Sequence, residues 1–242
     1  MRYFCHDNPE TLSLETDILE SAPGRVRLKD SPLYPGGGGQ LPDRGVLRWA
    51  GGESAIAGLE MSGGRLWHVL ADPVEASGVA LVEADAAFRQ MMREMHTGTH
   101  ILNALVFQNF DGALVTGVQM NDDGTARMDF DLPQADNDKL RALEAPINEV
   151  MRQNLAVNCV YVTQEEAQST PGLIRSRSVA PPPTDEGMIR IVEIEGLDRQ
   201  ACGGTHLANT GNSRPISILK IDNKGRHNRR IRLGLVGLGP LA

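Results

Sequence analysis

Hydrophobic and polar residues alternate in short runs through the N-terminal third of the chain. Residues 24–28, 45–49 and 66–70 follow this period-two pattern, which is typical of strands with one buried face. Glycine-rich turn signals separate the runs, and many short strands at this spacing are characteristic of a small barrel. Residues 1–83 are therefore predicted to form an N-terminal β-barrel domain. His68 lies inside one run and is predicted to be a structural histidine.

The pattern changes at residue 84. Apolar residues then recur with the 3.6-residue period of a helix as far as residue 109, and Asp111-Gly112 provides a stop signal. His96 and His100 fall one turn apart on the same face of this predicted helix. The helix therefore presents two imidazoles side by side.

The rest of the chain mixes strand-like and helix-like segments. The predicted strands are residues 114–119, 125–130, 157–162, 188–195, 216–221 and 229–236, and the predicted hairpin turns are 121–124 and 223–225. A helix over 135–154 is expected to be kinked or divided by Pro146, a short polar helix opens at 165, and 170–184 is a loop or flap. The chain is thus predicted to be α+β, a small barrel followed by a domain at residues 84–242 with an antiparallel sheet and helices.

Composition limits the classes to which the chain can belong. Hydrophobic residues make up 40% and charged residues 23% of the 242 residues, an ordinary balance for a globular protein. No apolar run reaches the roughly 18 residues of a membrane-spanning helix, and the N-terminus lacks an apolar signal segment. Cys5 and Cys159 have no partner nearby in the sequence, so no disulfide framework is predicted. These features favour the cytoplasm and no membrane partner.

Two pairs of residues have the spacing of metal ligands. His96 and His100 form an HxxxH pair, and Cys202 and His206 form a CxxxH pair around Gly203-Gly204. Either pair alone is as well explained by core histidines or a buried thiol. Together, however, they supply one tetrahedral set of nitrogen and sulfur donors, which suits Zn²⁺. About one zinc ion per chain is predicted.

The number of ligands leaves the role of the zinc open. Four protein ligands close a structural site, whereas a catalytic site keeps one position for water or substrate. The residues by themselves are therefore compatible with a zinc-stabilised binding module and with a zinc-dependent hydrolase.

The sequence motifs around these ligands resemble those of a known family. HTGTH at residues 96–100, VTG at 115–117, RMDFDL at 127–132 and RQACGGTHL at 199–207 are similar to the editing domain of alanyl-tRNA synthetase and to the freestanding AlaX proteins. GGGGQLPDRG at 36–45 resembles the glycine-rich motif of the longer AlaX forms. The resemblance covers about residues 31–235. Threonyl-tRNA synthetase editing domains share the ligand spacing but, as a rule, neither CGGTH nor GGGQ.

This resemblance implies a function. Residues 84–242 would be a zinc-binding aminoacyl-tRNA editing domain, and the protein a trans-editing hydrolase that deacylates mischarged tRNA(Ala). Ser-tRNA(Ala) would be its chief substrate and Gly-tRNA(Ala) a second one. The alternatives are a zinc-stabilised RNA-binding module without hydrolytic activity and an editing enzyme for another mischarged tRNA, such as a threonyl-type substrate.

Candidate substrate-binding residues lie near the ligands in the sequence. Thr116 is predicted to hydrogen-bond the hydroxyl of a mischarged serine, although a threonine that only packs in a strand is the alternative, and Gln119 is a second candidate. Gly203 and Gly204 could supply a backbone N–H to an oxyanion. No protein residue is identified as a general base.

The glycine run is a separate candidate. Its spacing matches neither GxxxxGK[ST] nor GxGxxG, so no nucleotide cofactor is expected. The resemblance instead implies that the segment approaches the editing pocket or the tRNA end, with Gln40 or Asp43 ordering it. The residues assigned to this motif are Gly37, Gly38, Gly39, Gln40 and Asp43.

Charge is distributed unevenly along the chain. The net charge of −7 argues against a nucleic-acid partner, but residues 220–232 hold six basic side chains and one acid. A solvated charged strand would explain this segment equally simply. The resemblance favours a strip that binds phosphates of the tRNA acceptor end, formed by Lys220, Lys224, Arg226, Arg229, Arg230 and Arg232.

Overall fold

The computed structural model describes residues 2–133, 136–175, 183–225 and 227–238. The backbone divides into two units. The barrel unit contains residues 2–37 and 41–90, and the mixed unit contains residues 38–40 and the chain from residue 91 onward. The functional division into residues 1–83 and 84–242 stays a prediction.

The barrel unit confirms the predicted N-terminal barrel. Its strands pair antiparallel and close in the order β1-β2-β5-β4-β3-β6. The elements of this unit are α1 (Phe4–Asp7), β1 (Ser13–Ala22), β2 (Arg25–Leu28), β3 (Gly45–Trp49), β4 (Gly52–Ser62), β5 (Arg65–Leu70) and β6 (Val79–Ala84). The alternating runs thus fold as period-two strands, with one face of each turned inward.

The barrel encloses an apolar core and one buried histidine. Val26, Leu47 and Val82 are fully buried in this core. His68 on β5 is also buried, and its Nε2 lies 2.8 Å from Oγ of Ser31. Burial disfavours the imidazolium and lowers the pKa of His68 to about 4. The ring is therefore neutral at pH 7, as predicted for a structural histidine.

A buried ion pair holds the connection between β2 and β3. Asp43 accepts from the Nε and Nη2 groups of Arg89 and from the backbone N–H of Tyr34. Arg89 also donates to the carbonyl of Pro32, at 2.6 Å. Both side chains are almost completely buried, so each charge depends on the other. Asp43 and Arg89 thus tie residues 32–34 to residue 43 within the barrel unit.

The long predicted helix forms as α2 (Ala86–Asn109), which carries the HxxxH pair. The elements that follow are β7 (Val115–Met120), β8 (Thr125–Asp131), α3 (Asn137–Arg141), α4 (Glu144–Arg152), β9 (Val157–Thr163), α5 (Gln164–Ser169), β10 (Met188–Ile194), β11 (Asp198–Ala201), a 3₁₀ turn (Thr210–Asn212), β12 (Ile216–Lys224) and β13 (Asn228–Leu235). The strands form two antiparallel sheets, ordered β11-β10-β9 and β12-β13-β8-β7. Within the described ranges, no helix is long and apolar enough to cross a membrane.

Helix α2 packs closely against the second sheet through a glycine. A side chain at Gly98 would collide with Ile216 of β12, so the absence of a Cβ permits this approach. Asn148 of α4 binds both the N–H and the carbonyl of Ile216, at 2.9 and 2.8 Å. The HTGTH turn of α2 is therefore held firmly in place by the sheet.

Two details differ from the sequence predictions. The helix expected over 135–154 is interrupted at residues 142–143 rather than by Pro146, which is the third residue of α4. A proline is tolerated there because the first-turn N–H groups have no partner within the helix. Strand β11 follows β10 before the CGGTH loop and has no counterpart among the predicted strands. Ala135 of the predicted helix and residues 176–182 of the predicted flap lie outside the described residues.

Candidate metal centre

The two predicted ligand pairs meet in the mixed unit. His96 and His100 come from α2, and Cys202 and His206 come from the loop that follows β11. The donor atoms of these side chains all lie within 4.8 Å of one another, and all four residues are buried. Sγ of Cys202 is 3.3 Å from Nε2 of His96 and 3.3 Å from Nε2 of His206. Donors at this spacing and burial are compatible with a single metal ion.

The charges within the group favour the metal-binding forms of Cys202 and His206. Burial opposes ionisation of Cys202, but the neighbouring His96, His100 and His206 outweigh it and hold the pKa of the thiol well below its usual value. Burial also opposes protonation of His100, whereas Cys202 and Asp198 raise its pKa to about 9. Burial lowers the pKa of His206, which favours its neutral form. Thiolate and neutral imidazole are the forms that bind metals, so Cys202 and His206 favour binding as they stand, whereas His100 would lose its proton on binding.

Each histidine has an oxygen atom facing its Nδ1. The partner is Oε1 of Gln40 for His96, at 2.8 Å, and Oγ1 of Thr97 for His206, at 3.3 Å. Nδ1 of His100 faces Oδ2 of Asp198 at 3.7 Å. Such partners orient the imidazole rings of metal sites and leave Nε2 directed at the ion.

Gln40 links the glycine-rich segment to both ligand pairs. Its Oε1 accepts the Nδ1–H of His96 and the backbone N–H of Thr205, the latter at 2.9 Å. Its Nε2 donates to Oγ1 of Thr205 at 2.8 Å. Because a backbone N–H can only donate, these contacts fix which end of the amide is the oxygen. Gln40 therefore orients His96 and holds the CGGTH loop at the same time.

Two glycines make this arrangement possible. Gly39 adopts φ +85°, and a Cβ on it would collide with the backbone of Val118 on β7. A Cβ on Gly204 would collide with the ring of His96 and with Gln40. Any other residue at either position would push the segment or the loop away from the cluster.

Asp198 is an orienting residue that the sequence did not reveal. Its side chain is fully buried, with Oδ1 bound to Arg175 at 2.7 Å and Oδ2 bound to the amide of Gln200. Burial raises the pKa of Asp198, but its bonds with His100, Arg175 and Gln200 produce a net lowering. Asn103 of α2 donates to Gln200 at 2.8 Å and extends the network. A buried carboxylate is thus fixed beside His100.

Arg190 on β10 shapes the ligand loop. Its Nη1 donates to the carbonyls of Cys202 and Gly204, at 2.9 and 3.0 Å. Its Nη2 lies 2.9 Å from Sγ of Cys159. One buried guanidinium therefore satisfies two carbonyls of a loop that has no regular secondary structure. The lone arginine in a β-rich run gave no sign of this role.

The predicted substrate residues fall on β7 and in the ligand loop. Thr116 is the extra residue where the β7–β8 register shifts, and its buried Oγ1 has no hydrogen-bond partner among the described residues. Gln119 is exposed, and its Oε1 accepts from Arg127 at 3.1 and 3.0 Å. The N–H of Gly204 is directed at Sγ of Cys202, at 3.4 Å, where it favours the thiolate.

The glycine-rich segment connects β7 to the cluster. The carbonyl of Gly39 accepts from the N–H of Met120 at 2.8 Å, on the open edge of β7. The next residue, Gln40, contacts His96 and Thr205. Two consecutive residues of this segment therefore contact strand β7 and the candidate ligand His96. Gly37 and Asp43, also assigned to the motif, lie in the barrel unit, and Gly38 lies in the mixed unit.

The predicted basic strip is divided between the two faces of its hairpin. Lys220 and Lys224 are exposed on β12, while Arg229 is buried and faces inward. Arg230 faces outward and binds Asp129 of β8 through two hydrogen bonds, at 2.7 and 2.8 Å. Arg226 lies outside the described residues. The hairpin does not present these side chains as one continuous strip.

Known proteins resemble this chain over most of its length. Residues 189–232 match the family described as threonyl and alanyl tRNA synthetase second additional domain. The alanyl-tRNA editing protein AlaX-M of Methanosarcina acetivorans is 35% identical over 224 residues, covering 87% of this chain and 89% of the relative. AlaX-M of Saccharolobus solfataricus is 31% identical over 238 residues, covering 92% and 97%.

A synthetase shows the same similarity over part of its length. The alanine–tRNA ligase of Korarchaeum cryptofilum is 30% identical over 236 residues, which cover 96% of this chain but 25% of that enzyme. The AlaX-M relatives, by contrast, match over most of both chains at comparable identity. The chain therefore belongs to the AlaX-M family of alanyl-tRNA editing proteins.

Proposed function

We propose that this protein is a trans-editing hydrolase that removes the amino acid from mischarged tRNA(Ala) at a zinc site. The observation that supports this most is the buried group of His96, His100, Cys202 and His206 in a member of the AlaX-M family. Ser-tRNA(Ala) is the chief proposed substrate and Gly-tRNA(Ala) a second one. The acceptor end of the tRNA is the partner, and the cytoplasm is the proposed compartment.

Zinc is the metal that the donor set fits best. Three imidazoles and one thiolate are borderline-soft ligands, which zinc accepts in tetrahedral geometry. One zinc ion per chain would be held by these side chains, with Gln40, Asp198 and Thr97 orienting the rings. The ion would supply Lewis-acid chemistry suited to the hydrolysis of an ester.

The protein's own contribution is positioning. An aminoacyl ester is already labile, so correct placement of the carbonyl provides much of the acceleration. Strand β7 is linked to the ligands through Gly39 and Gln40, which supports a substrate-binding role for Thr116 and Gln119 on that strand. Gly203 and Gly204 are proposed to contact the ester through the backbone of the loop, where an N–H can serve an oxyanion.

Thr116 is proposed to hydrogen-bond the hydroxyl of the mischarged serine. Its buried oxygen has no partner among the residues that the structure describes, so a ligand hydroxyl would satisfy it. Alanine lacks this hydroxyl and would leave Thr116 unpaired. A site of this kind can discriminate strongly against the correct product, Ala-tRNA(Ala).

Two other functions have specific support. Four donors converge, as in a closed structural zinc site, which favours an RNA-binding module without hydrolysis. The matched domain family also includes threonyl-tRNA synthetases, which favours a threonyl-type substrate. The cluster and the match with AlaX-M relatives over most of both chains make alanyl editing the better supported choice.

A deacylation assay separates these functions. Purified protein would be incubated with Ser-, Gly- and Ala-tRNA(Ala) and with a mischarged threonyl-type tRNA, with zinc content measured on the same sample. We expect fast loss of serine, slower loss of glycine and retention of alanine. Zinc with no turnover on any substrate would support the binding module, and turnover of only the threonyl-type tRNA would support the other specificity.

A further inference from the structure

The register of the second sheet places cations from three strands in one line. Arg127 of β8 lies opposite Arg232 of β13, and Arg232 lies opposite Lys220 of β12. Directly paired residues share a face of the sheet. The neighbours Ile231 and Leu233 are fully buried, so Arg232 and its partners are on the outer face. We call Arg127, Arg232 and Lys220 the cation row.

The cation row is unfavourable for the fold itself. Like charges directly opposite one another on neighbouring strands repel, and this repulsion occurs at two successive strand pairs. The side chains stay hydrated, with relative exposures of 33% for Arg127, 50% for Arg232 and 63% for Lys220. Taken without its neighbours, the row therefore lowers stability, and nearby carboxylates are needed to offset the repulsion.

The adjacent row supplies the anions that hold these side chains in place. Asp129 binds Nη1 of Arg127 at 3.1 Å, and Asp222 lies 2.7 Å from Nζ of Lys220 and 3.7 Å from Nε of Arg232. Asp129 also binds Arg230. Across the two rows, four cations therefore face two carboxylates. A net positive surface with oriented guanidinium groups results on a chain whose net charge is −7.

On the basis of the tRNA-editing function proposed above, we propose that the cation row binds the phosphate backbone of the tRNA acceptor arm. Strands are about 4.8 Å apart, so the row extends across roughly 10 Å of the sheet, and its long side chains can reach successive phosphates. Arginine suits this role because its planar guanidinium binds phosphate through paired hydrogen bonds. A local positive surface on an acidic protein also directs RNA to that surface.

This interface differs from a basic strip along the terminal hairpin. Arg127, which lies about a hundred residues earlier in the chain, becomes a phosphate ligand, and the buried Arg229 does not. Gln119 accepts from Arg127 and lies opposite it on β7. The row thus ends at the strand that also carries Thr116.

The salt dependence of tRNA binding tests the cation row. The affinity for tRNA(Ala) would be measured from low to moderate salt for Arg127→Gln, Arg232→Gln and the double variant. Arg152→Gln is the matched control, since Arg152 is an exposed arginine of α4 that pairs with Glu149. Each lost phosphate contact removes about 0.7–0.9 from the slope of log K against log salt, and on the order of five- to tenfold in affinity at 0.1 M salt.

We expect the double variant to lose roughly 1.4 to 1.8 from the slope and the control to keep the wild-type slope. Melting temperatures of the row variants should stay close to the wild-type value, because the substitutions remove both the repulsion within the row and the partly exposed pairs with Asp129 and Asp222. A wild-type slope in a folded double variant would contradict phosphate binding by the cation row, even if the wild-type protein deacylates Ser-tRNA(Ala). A reduced slope in the double variant, with no deacylation by the wild-type protein, would instead support phosphate binding by the cation row and contradict the editing function.

Discussion

Buried histidines in the two units have opposite surroundings. In the barrel unit, His68 is buried with Ser31 as its hydrogen-bond partner, and burial lowers its pKa to about 4. In the mixed unit, His100 is equally inaccessible, but the Cys202 thiolate and Asp198 overcome the effect of burial and raise its pKa to about 9. The same side chain is thus kept neutral in one place and stabilised as a cation in the other.

The groups around a buried histidine, rather than its burial, distinguish a candidate ligand from a core histidine. Burial alone makes an imidazole neutral and structural. A metal-binding histidine also needs further donors facing its Nε2 and an oxygen fixed behind its Nδ1. His96 has both, in Cys202 and Gln40, whereas His68 has one serine hydroxyl. Of these features, only the spacing of the ligand pairs can be seen in the sequence, because the contacts of His96 with Cys202 and Gln40 join residues far apart in the chain.

Removing a ligand should have the largest effect. Cys202→Ala takes away the only sulfur donor of the group, so we expect metal content to fall from about one ion per chain to less than a tenth of that, with loss of deacylation. Elemental analysis of purified protein measures the first effect and a Ser-tRNA(Ala) assay the second. His68→Gln is the matched control, a buried histidine changed in the barrel unit, and should keep its metal. Full activity in metal-free Cys202→Ala would contradict a zinc-dependent reaction.

Acid should destabilise the protein through His68. The unfolded histidine binds a proton near pH 6.5, whereas the folded one resists protonation until about pH 4. The unfolded state therefore binds more protons between these values, and stability that is complete above pH 6.5 falls by roughly 3 kcal/mol as the pH drops to 4. Denaturant unfolding of wild type and His68→Gln at several pH values isolates this contribution as their difference. A constant difference across the window would show that the folded ring titrates normally.

The orienting carboxylate should matter less than a ligand. Asp198→Asn keeps the size of the side chain but removes the negative charge beside His100 and Arg175, so we expect metal affinity to fall by roughly ten- to a hundredfold. Competition with a chelator measures the affinity directly. Asp129→Asn provides the comparison, since it removes a carboxylate of the same unit that binds Arg230 instead. Equal affinities for both variants would mean that Asp198 serves the fold alone.

The smallest predicted effect concerns specificity. Thr116→Val keeps the volume of the side chain and removes its hydroxyl, which should slow hydrolysis of Ser-tRNA(Ala) by an amount equivalent to about 1–2 kcal/mol. Gly-tRNA(Ala) has no hydroxyl to lose and should be affected much less. The ratio of the two rates is the measurement. Equal slowing of both substrates would assign Thr116 to packing, and Gln119 would be the next residue to change.

Local patterns in the sequence predicted the barrel, helix α2 and the two ligand pairs. These features depend on periodicity or on spacing within one turn, so neighbouring residues are sufficient to predict them. Asp198 was missed because a polar residue on a short strand gives no sign of which side chain it faces. The cation row was missed because it depends on pairing between strands far apart in the chain, and a local charge count joined Arg229 to the outward-facing Arg230.

The amide bridge from Gln40 to Thr205 has a consequence for the order of events during synthesis and folding. It joins residues 165 positions apart, and closing so long a segment is slow compared with forming a helix or hairpin. The histidines of α2 emerge from the ribosome about a hundred residues before the CGGTH loop that completes the group. Tight binding of a metal by this group would therefore wait until the CGGTH loop has been made, and a bound ion would mark molecules in which the two ligand pairs have met.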